Sequence, residues 1–457
     1  MKLTEKPLLN NALLISICTP QFKGEEAKQS LAELARLVTT LGFKVVGTQS
    51  QKQTSTQKMS VLGAGKLAEI AHITGNQGEG TDADTEDFFD ETDFDDIPSE
   101  NLPFGCADVV VFDCDLSPSQ LRNVENQLGV QVYDRTGIII EIFSRHARTR
   151  TARLQVEMAR LNYVAPRLRE SSIGDSERQM GKGSGETSLE LDRRKVRDQL
   201  AELRRELDSV QDELKGRRAQ RSELFCVALV GYTNAGKSSM MRALTGSEVL
   251  VENKLFATLD TTVRALYPET QPRILVSDTV GFIKKLPHDL VASFHSTLAE
   301  AHDASLLLYV VDASDPTFRT QLDVVHEVLG EVGVDGIDKL LVLNKSDQLT
   351  PEQQQALMEE FPDAMMTSTR NPLDVAKLHQ YIVNASEKGM IEEELIVPYD
   401  AKGIMGEIRS SMSVVNEEYD YDHMKLTVRS SAIDLARLKK LMSNVLNEND
   451  SEGSHSK

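Results

Sequence analysis

Tryptophan is absent from the 457-residue sequence, and aromatic residues make up only 5% of it. Cysteine is scarce too: Cys18, Cys106, Cys114 and Cys226 form no Cys-x-x-Cys pair and lie in or near apolar, strand-like runs. This pattern excludes a disulfide-stapled secreted scaffold and a cysteine zinc site, and it is typical of buried thiols in a reducing compartment. Because no apolar run approaches the length of a membrane span and no secretory signal opens the sequence, we expect a cytoplasmic protein.

A positive net charge is also lacking, which at first argues against a nucleic-acid partner. The chain has 51 Lys and Arg against 71 Asp and Glu, a net charge of −20. Eleven acidic residues lie within residues 79–100, which contain no Lys or Arg, and removing those eleven charges from −20 leaves −9. Residues 145–169 carry seven Arg against one Glu. Local patches, rather than the net charge, therefore indicate which partners fit.

The N-terminal half of the chain predicts two domains. Residues 1–144 alternate strand-like and helix-like segments, which predicts a small parallel-sheet α/β domain, with a disordered acidic loop at residues 75–105. Residues 145–222 predict an antiparallel helical hairpin whose helices are joined by a Gly-rich loop at residues 171–188. The apolar seam residues are Leu154, Met158, Leu161, Ala165 and Leu168 on the first helix and Val196, Leu200, Leu203, Leu207, Val210 and Leu214 on the second.

The C-terminal half predicts two further domains. Residues 223–390 read as strand–helix repeats, so we expect an α/β domain of the P-loop class, a mostly parallel sheet with helices on both faces. Its polar motifs follow apolar strands, and ligands of open α/β sheets bind at such strand ends. Residues 391–457 predict a small α+β domain whose polar tail frays after Asn447.

Residues 231–238, Gly-Tyr-Thr-Asn-Ala-Gly-Lys-Ser, match the phosphate-binding pattern G-x-x-x-x-G-K-[ST] between a strand and a helix. Backbone N–H groups and the positive end of the helix surround the phosphates in such loops. We expect Lys237 to bridge the β- and γ-phosphates and to act in catalysis. The predicted nucleotide contacts of this loop are Gly231, Tyr232, Thr233, Asn234, Ala235, Gly236, Lys237, Ser238 and Ser239.

A second motif, Asp278-Thr-Val-Gly281, predicts a magnesium site together with the phosphate loop. Asp278 and the Ser238 hydroxyl are expected to hold Mg²⁺, while the Gly281 N–H contacts the γ-phosphate during catalysis. A threonine of the loop between the motifs is expected to complete the metal shell. We favour Thr258, and Thr261 and Thr262 are the alternatives.

Two positions bear on the rate of hydrolysis. Phe282 stands directly after Gly281, where Ras-like GTPases place the glutamine that orients water, and this predicts slow intrinsic hydrolysis. Asn234 resembles the asparagine with which some translation and ribosome-assembly GTPases bind K⁺, so K⁺ is a second candidate cation.

A third motif, Asn344-Lys345-Ser-Asp347, follows the next strand and predicts the base. The Asp347 carboxylate can accept hydrogen bonds from N1–H and N2–H of guanine, which adenine does not offer, so we expect GTP and GDP as ligands rather than ATP. A plain strand-ending turn is the alternative, since Asn and Asp favour turns. A backbone N–H in residues 367–369, that of Ser368 first, is expected to reach guanine O6.

Long stretches in and around these motifs follow the pattern of one known family. The stretches are residues 134–143 (DRTGIIIEIF), 154–159 (LQVEMA), 181–190 (GKGSGETSLE), 192–194 (DRR), 231–238 (GYTNAGKS), 256–260 (FATLD), 278–283 (DTVGFI) and 286–290 (LPHDL). Together they resemble the HflX family of ribosome-associated GTPases, and the resemblance covers roughly residues 10–390. Three departures from the family pattern bear on ribosome engagement: the acidic segment, Ser184 for a proline and Ser188 for a glutamine.

The resemblance implies a protein, expected as a monomer, that docks on the large ribosomal subunit in its GTP state and splits or rescues stalled ribosomes. Ribosomal RNA would meet a stripe formed by Arg145, Arg148, Arg150, Arg153 and Arg160. Solvated helix faces paired with Glu157 and with acids of the second helix are the alternative interpretation of these arginines.

Two other interpretations remain open. A GTPase switch that controls a protein partner, with the acidic loop as its docking segment, would carry the same three motifs. Residues 63–66, Gly-Ala-Gly-Lys, favour a strand-to-helix turn over a second nucleotide site, because they lack the full phosphate-loop spacing.

Overall fold

The structure is a computed structural model that divides into two compact units. It describes residues 11–20, 22, 24–53, 61–76, 102–170, 188–219, 224–246, 256, 262–284, 300–331, 333–334, 336–399, 401 and 403–453. The first unit contains the described part of residues 1–212 together with Phe256, and the second contains the other described residues. The bounds of the four domains predicted from the sequence stay predictions.

The first unit begins with a four-stranded sheet in which every pairing is parallel, as the sequence predicts. Its strands are β1 (Asn11–Cys18), β2 (Lys44–Lys52), β3 (Val109–Phe112) and β4 (Gln131–Asp134), in the order β2-β1-β3-β4. The helices of this region are α1 (Glu25–Thr40), α2 (Ala64–Thr74), α3 (Pro118–Leu128) and α4 (Arg135–His146). Residues 63–66 form the turn into α2, where the Lys66 ammonium already pairs with Glu69.

Both ends of the acidic segment are held by contacts with the rest of the first unit. This corrects the predicted bounds of the disordered loop, residues 75 and 105. Gly75 ends α2 in a left-handed conformation, and the Gly105 N–H donates to the carbonyl of His72. Phe104 packs edge-on against the His72 ring, and Leu102 joins the hydrophobic core. Apolar contacts therefore extend further into the segment than its polar composition indicates. The disorder predicted for residues 77–101 lies outside the described residues.

Two long helices follow, α5 (Arg150–Glu170) and α6 (Ser188–Ala219). On α6 the predicted seam follows the least exposed face: Leu207 is buried, and Val196, Leu200, Leu203 and Val210 are half-buried. On α5 the predicted seam is buried only at Leu154, and the other buried residues of that helix are Ala152, Gln155, Val156 and Ala159, which the prediction did not include. Arg150 near the start of α5 pairs with Glu206 in α6 at 2.6 Å. The antiparallel hairpin stays a prediction that this ion pair supports. Residues 171–187, which hold most of the Gly-rich loop, lie outside the described residues.

One buried carboxylate, that of Asp134, joins α5 to the sheet. It caps α4 by accepting from the Gly137 N–H at 2.7 Å, and it accepts from the Leu116 N–H at 3.3 Å. From α5, the Tyr163 hydroxyl donates to it, and Arg167 pairs with it at 3.2 Å while lying over the Tyr163 ring. Burial raises the pKa of Asp134, although the hydrogen bonds from Tyr163 and Gly137 oppose that shift.

The second unit contains a six-stranded sheet that is parallel except for one edge strand, β6. Its strands are β5 (Phe225–Val230), β6 (Thr262–Ala265), β7 (Ile274–Asp278), β8 (Leu306–Asp312), β9 (Asp338–Asn344) and β10 (Met365–Met366), in the order β10-β9-β8-β5-β7-β6. Its helices are α7 (Lys237–Thr245), α8 (Phe318–Glu331), α9 (Pro351–Glu360) and α10 (Pro372–Glu387), with a 3-10 turn at Ser346–Gln348. The motif residues lie at or after the carboxyl ends of β5, β7, β9 and β10.

A small antiparallel sheet ends the chain, with the order β11-β13-β12. It contains β11 (Ile391–Pro398), β12 (Ser413–Tyr419) and β13 (His423–Ser430), with α11 (Ile404–Ser411) and α12 (Ala432–Gly453). Helix α12 extends to Gly453, and the fraying expected after Asn447 stays a prediction. Among the helices of the described residues, none is long and apolar enough to cross a bilayer.

Candidate functional site

The phosphate loop joins β5 to α7 and needs glycine at two of its positions. Gly231 has φ +155°, and a Cβ there would lie 2.1 Å from the Val310 carbonyl oxygen. Gly236 has φ +99°, and a Cβ there would lie 2.2 Å from Nδ2 of Asn344. Both glycines therefore allow the loop to approach its neighbouring strands more closely than any larger residue would permit.

Lys237 is the first residue of α7, and its ammonium lies inside the loop. Its Nζ donates to the carbonyls of Gly231 at 3.0 Å and Tyr232 at 2.9 Å. Burial lowers the pKa of Lys237 to about 8, and the nearby charge of Asp278 opposes this shift. A phosphate bound in the loop would add the negative charge that favours the charged ammonium.

The two predicted magnesium ligands that the structure describes, Ser238 and Asp278, lie side by side. The Ser238 hydroxyl donates to Oδ2 of Asp278 at 2.8 Å. A hydroxyl and a carboxylate beside a phosphate loop are hard oxygen donors of the kind that Mg²⁺ prefers, so this pair fits the metal. Of the threonine candidates, Thr262 lies in β6 opposite Asp278, while Thr258 and Thr261 lie outside the described residues.

The backbone of Gly281 packs against Lys237. A Cβ at Gly281 would lie 3.1 Å from Nζ of Lys237 and 2.8 Å from Cγ2 of Thr233. The next residue, Phe282, is only 3% exposed. Its side chain is buried and has no polar group, so it cannot orient a water molecule.

The base motif is joined to the phosphate loop by a direct hydrogen bond. Nδ2 of Asn344 donates to the carbonyl of Ala235 at 2.8 Å. Lys345 adopts a left-handed conformation, with φ 61°, and its ammonium pairs with Asp312 at the end of β8 at 2.5 Å. The base motif and the phosphate loop are therefore parts of one connected site.

Two neighbouring side chains contact Asp347, the residue predicted to recognise guanine. The Ser368 hydroxyl donates to its Oδ1 at 2.7 Å, and the exposed Arg370 guanidinium lies 3.3 Å from its Oδ2. A cavity of about 380 Å³ adjoins Asp347 and Ser368.

The prediction for the Ser368 backbone requires a correction. Its N–H donates to Oδ2 of Asp374 at 3.2 Å, and the Thr367 N–H donates to the Leu343 carbonyl at 2.9 Å. The Ser368 hydroxyl contacts Asp347, so Ser368 stays a candidate for the base site through its side chain. The Thr369 N–H is then the remaining candidate of residues 367–369 to meet guanine O6.

Sequence reasoning missed three charged residues of this site: Asp312, Arg370 and Asp374. Asp312 had a usable signal, because it is the last residue of β8, and of the two neighbouring strands β9 ends at the motif residue Asn344 and β5 ends directly before Gly231. Arg370 and Asp374 follow β10, a strand of only two residues, and had no such signal. Asn234 is exposed in the loop with φ 63°, and Ser239 lies in the first turn of α7.

Comparison with known proteins finds related sequences along almost the whole chain. Three family models match it: "GTP-binding GTPase N-terminal" at residues 28–85 and 96–144, "GTP-binding GTPase Middle Region" at residues 146–221, and "50S ribosome-binding GTPase" at residues 226–345. A GTPase HflX from Gluconacetobacter diazotrophicus is 54% identical, and the match covers 95% of this chain and 98% of that protein. The chain belongs to the HflX family of GTPases. The GTPase HflX of Escherichia coli strain K12 is 32% identical, over 94% of this chain and 95% of its own.

Proteins of solved structure are less similar to this chain in sequence than these HflX proteins are. A GTP-binding protein from the archaeon Sulfolobus solfataricus, in complex with GDP, is 22% identical. It matches 82% of this chain and 98% of its own, with a TM-score of 0.42.

Family membership and the site together confirm the predicted fold class and activity. The chain has an HflX P-loop GTPase domain with a mostly parallel sheet, and it hydrolyses GTP to GDP and phosphate. In such sites catalysis consists of positioning the phosphates and neutralising charge. The groups of this chain suited to that role are the Lys237 ammonium and the backbone N–H groups of the phosphate loop, with Gly281 packed beside them.

Proposed function

We propose that this HflX GTPase binds the large ribosomal subunit in its GTP state and splits or rescues stalled ribosomes, acting as a cytoplasmic monomer. The observation that carries the proposal is the arginine run before and along α5. Arg145, Arg148, Arg150, Arg153 and Arg160 are all exposed. A run of exposed guanidinium groups is suited to RNA phosphates, which dominate the affinity of nucleic-acid complexes. The match of residues 226–345 to a family described as "50S ribosome-binding GTPase" supports the same partner.

Several of these arginines pair with acids of the chain, as the alternative interpretation requires. Arg145 pairs with Glu141 at 3.0 Å, and Arg160 with Glu157 at 3.7 Å. Exposed pairs of this kind contribute only about 0–1 kcal/mol and weaken with salt. A phosphate can therefore replace the carboxylate at little cost, so the pairs do not exclude RNA binding.

Reversing three of these charges tests the ribosomal role. We expect the triple variant Arg148→Glu, Arg150→Glu, Arg153→Glu to lose cosedimentation with large subunits in the presence of a non-hydrolysable GTP analogue. Removing about three phosphate contacts and adding repulsion should weaken binding by at least about 10²-fold, with a smaller salt dependence. The affinity for GDP should stay within about twofold, because these residues belong to the first unit and the nucleotide motifs to the second.

The matched control reverses three exposed basic residues of the C-terminal region, Arg409, Arg437 and Lys439, and thus changes the net charge equally. It should cosediment like the unchanged protein. Unchanged cosedimentation of the α5 variant would refute the arginine assignment. If the unchanged protein itself failed to cosediment in any nucleotide state, a GTPase switch acting on a protein partner would become the better hypothesis.

For the nucleotide site, we propose that Mg²⁺ is held by Ser238, Asp278 and Thr258. When bound, this ion neutralises phosphate charge. The adjacent hydroxyl and carboxylate of Ser238 and Asp278 support the proposal. We further propose that Asp347 accepts the two guanine N–H groups and that the Thr369 N–H donates to O6.

Potassium is proposed as a second cation, with Asn234 as its side-chain ligand. Asn234 is exposed in the phosphate loop, so its amide oxygen is accessible. We expect hydrolysis to run about tenfold faster in K⁺ than in Na⁺ at matched ionic strength, because a cation there would neutralise developing charge. Asn234→Ala should abolish the difference in single-turnover assays, and equal rates of the unchanged protein in both salts would contradict the proposal.

A further inference from the structure

We propose that Tyr232 is a positioning residue for GTP hydrolysis: its hydroxyl holds the segment after the Asp278-x-x-Gly281 motif against the phosphate loop. Tyr232 is the second residue of the loop, and it is the backbone of such loops that binds phosphate. A role for its side chain adds to the function assigned above. The inference rests on the GTPase activity and on the contact proposed between Gly281 and the γ-phosphate, and it is independent of the ribosomal role.

A short parallel ladder joins the two segments. The Thr233 N–H donates to the Phe282 carbonyl at 2.8 Å, and the Phe282 N–H donates to the Gly231 carbonyl at 3.2 Å. These two bonds form a parallel bridge between Tyr232 and Phe282. The Tyr232 hydroxyl continues the connection by accepting from the Lys284 N–H at 2.5 Å. The backbone hydrogen bonds between the two segments end at Phe282. The Tyr232 side chain extends this connection by two residues, to Lys284.

The residues that surround this hydroxyl are buried in both segments, the phosphate loop and the segment after Gly281. Tyr232 is 6% exposed, and Phe282 and Ile283 are 3% and 1% exposed. The hydrogen bond to the half-buried Lys284 is therefore partly shielded from water, and solvent replaces the lost acceptor only in part when the hydroxyl is removed. Losing a partner in such a place costs more than losing a hydrogen bond at the surface.

The ladder matters for catalysis because Gly281 directly precedes it. A Cβ at Gly281 would lie 3.1 Å from Nζ of Lys237, so the glycine backbone is held beside the ammonium that meets the γ-phosphate. Preorganised donors stabilise developing charge without reorganising during the reaction. GDP has no γ-phosphate and makes no contact there. Tyr232 therefore acts on hydrolysis and on GTP binding, and leaves GDP binding unchanged.

Tyr232→Phe tests this assignment, since it removes one oxygen atom and keeps the ring. We expect the single-turnover rate constant for GTP hydrolysis at saturating protein to fall about fivefold to tenfold, as expected for one lost, partly buried hydrogen bond. Affinity for a non-hydrolysable GTP analogue should fall about threefold or more, while the Kd for GDP stays within about twofold. A purely structural role would weaken both nucleotides alike.

The matched control is Tyr309→Phe, the same change at a buried tyrosine of β8 that stacks on His326. It should leave both rate and affinities unchanged. Tyr232→Leu, which removes ring and hydroxyl together, separates packing from hydrogen bonding. The proposal is overturned if Tyr232→Phe hydrolyses GTP at a rate within twofold of the unchanged protein or faster. It is also overturned if only Tyr232→Leu hydrolyses GTP more slowly. An equal loss of GDP affinity also overturns it.

Discussion

Asp347→Asn should lower the affinity for GTP by about 10³-fold and transfer the preference to xanthosine triphosphate. A site built to accept hydrogen bonds rejects a ligand that leaves its polar groups unpaired, by a factor of about 10⁴ in favourable cases. Asparagine keeps one acceptor for the base N1–H and presents an N–H₂ group, which repels the guanine amino group but suits the xanthine carbonyl. Competition against a fluorescent GDP, with guanosine and xanthosine nucleotides, measures both effects.

Asp374→Asn is the control for this exchange. It makes the same chemical change in the same region, at a carboxylate that accepts from the Ser368 N–H. We expect at most a tenfold loss of GTP affinity and no gain for xanthosine nucleotides, because Asp374 holds the Ser368 N–H and is not a predicted base contact. GTP affinity that survived Asp347→Asn undiminished would remove the basis for assigning guanine recognition to Asp347.

Lys237→Ala should reduce the rate of GTP hydrolysis by at least about 10³-fold. Removing one donor that stabilises a transition state typically costs about 10²- to 10³-fold, and this donor also carries a full charge. Single-turnover hydrolysis at saturating protein isolates the chemical step from weaker binding. A rate within tenfold of the unchanged protein would mean that another cation neutralises the phosphates.

The variant should remain folded. Because burial lowers the pKa of Lys237 to about 8, keeping its ammonium charged at neutral pH costs free energy in the folded protein. Removing the charge relieves that cost, so the unfolding temperature should not fall far. Lys339→Ala, which removes an exposed lysine of β9, is the control and should change neither rate nor stability.

The sequence alone predicts that the candidate nucleotide-binding residues lie together, because its signals are local. Glycines, a lysine and carboxylates at fixed spacings directly follow apolar strands, and in a parallel sheet the carboxyl ends of neighbouring strands meet at one edge. The structure places Lys237, Ser238, Asp278 and Asn344 at that edge, joined by the bonds of Ser238 to Asp278 and of Asn344 to Ala235. The third metal ligand lies outside the described residues, so Thr258 stays a prediction.

Helix α4 shows where local signals mislead. Residues 138–140 are three isoleucines, and β-branched runs of this kind favour a strand. In the fold these residues are buried within a helix that Asp134 caps, so tertiary burial outweighs the local preference. The base pocket shows the second limit. Ser368 is used through its hydroxyl because Asp374, six residues later, occupies its N–H, and no spacing rule anticipates such a pair.

The Asp134 cluster gives the first unit a mechanical property. One buried carboxylate takes hydrogen bonds from the start of α4, from the segment before α3 and from two side chains of α5. Helix α5 also carries part of the arginine run. A load applied along α5 would therefore reach the four-stranded sheet through this carboxylate as well as through the buried side chains of Ala152, Val156 and Ala159. We expect α5 and the four-stranded sheet to move together as one rigid body.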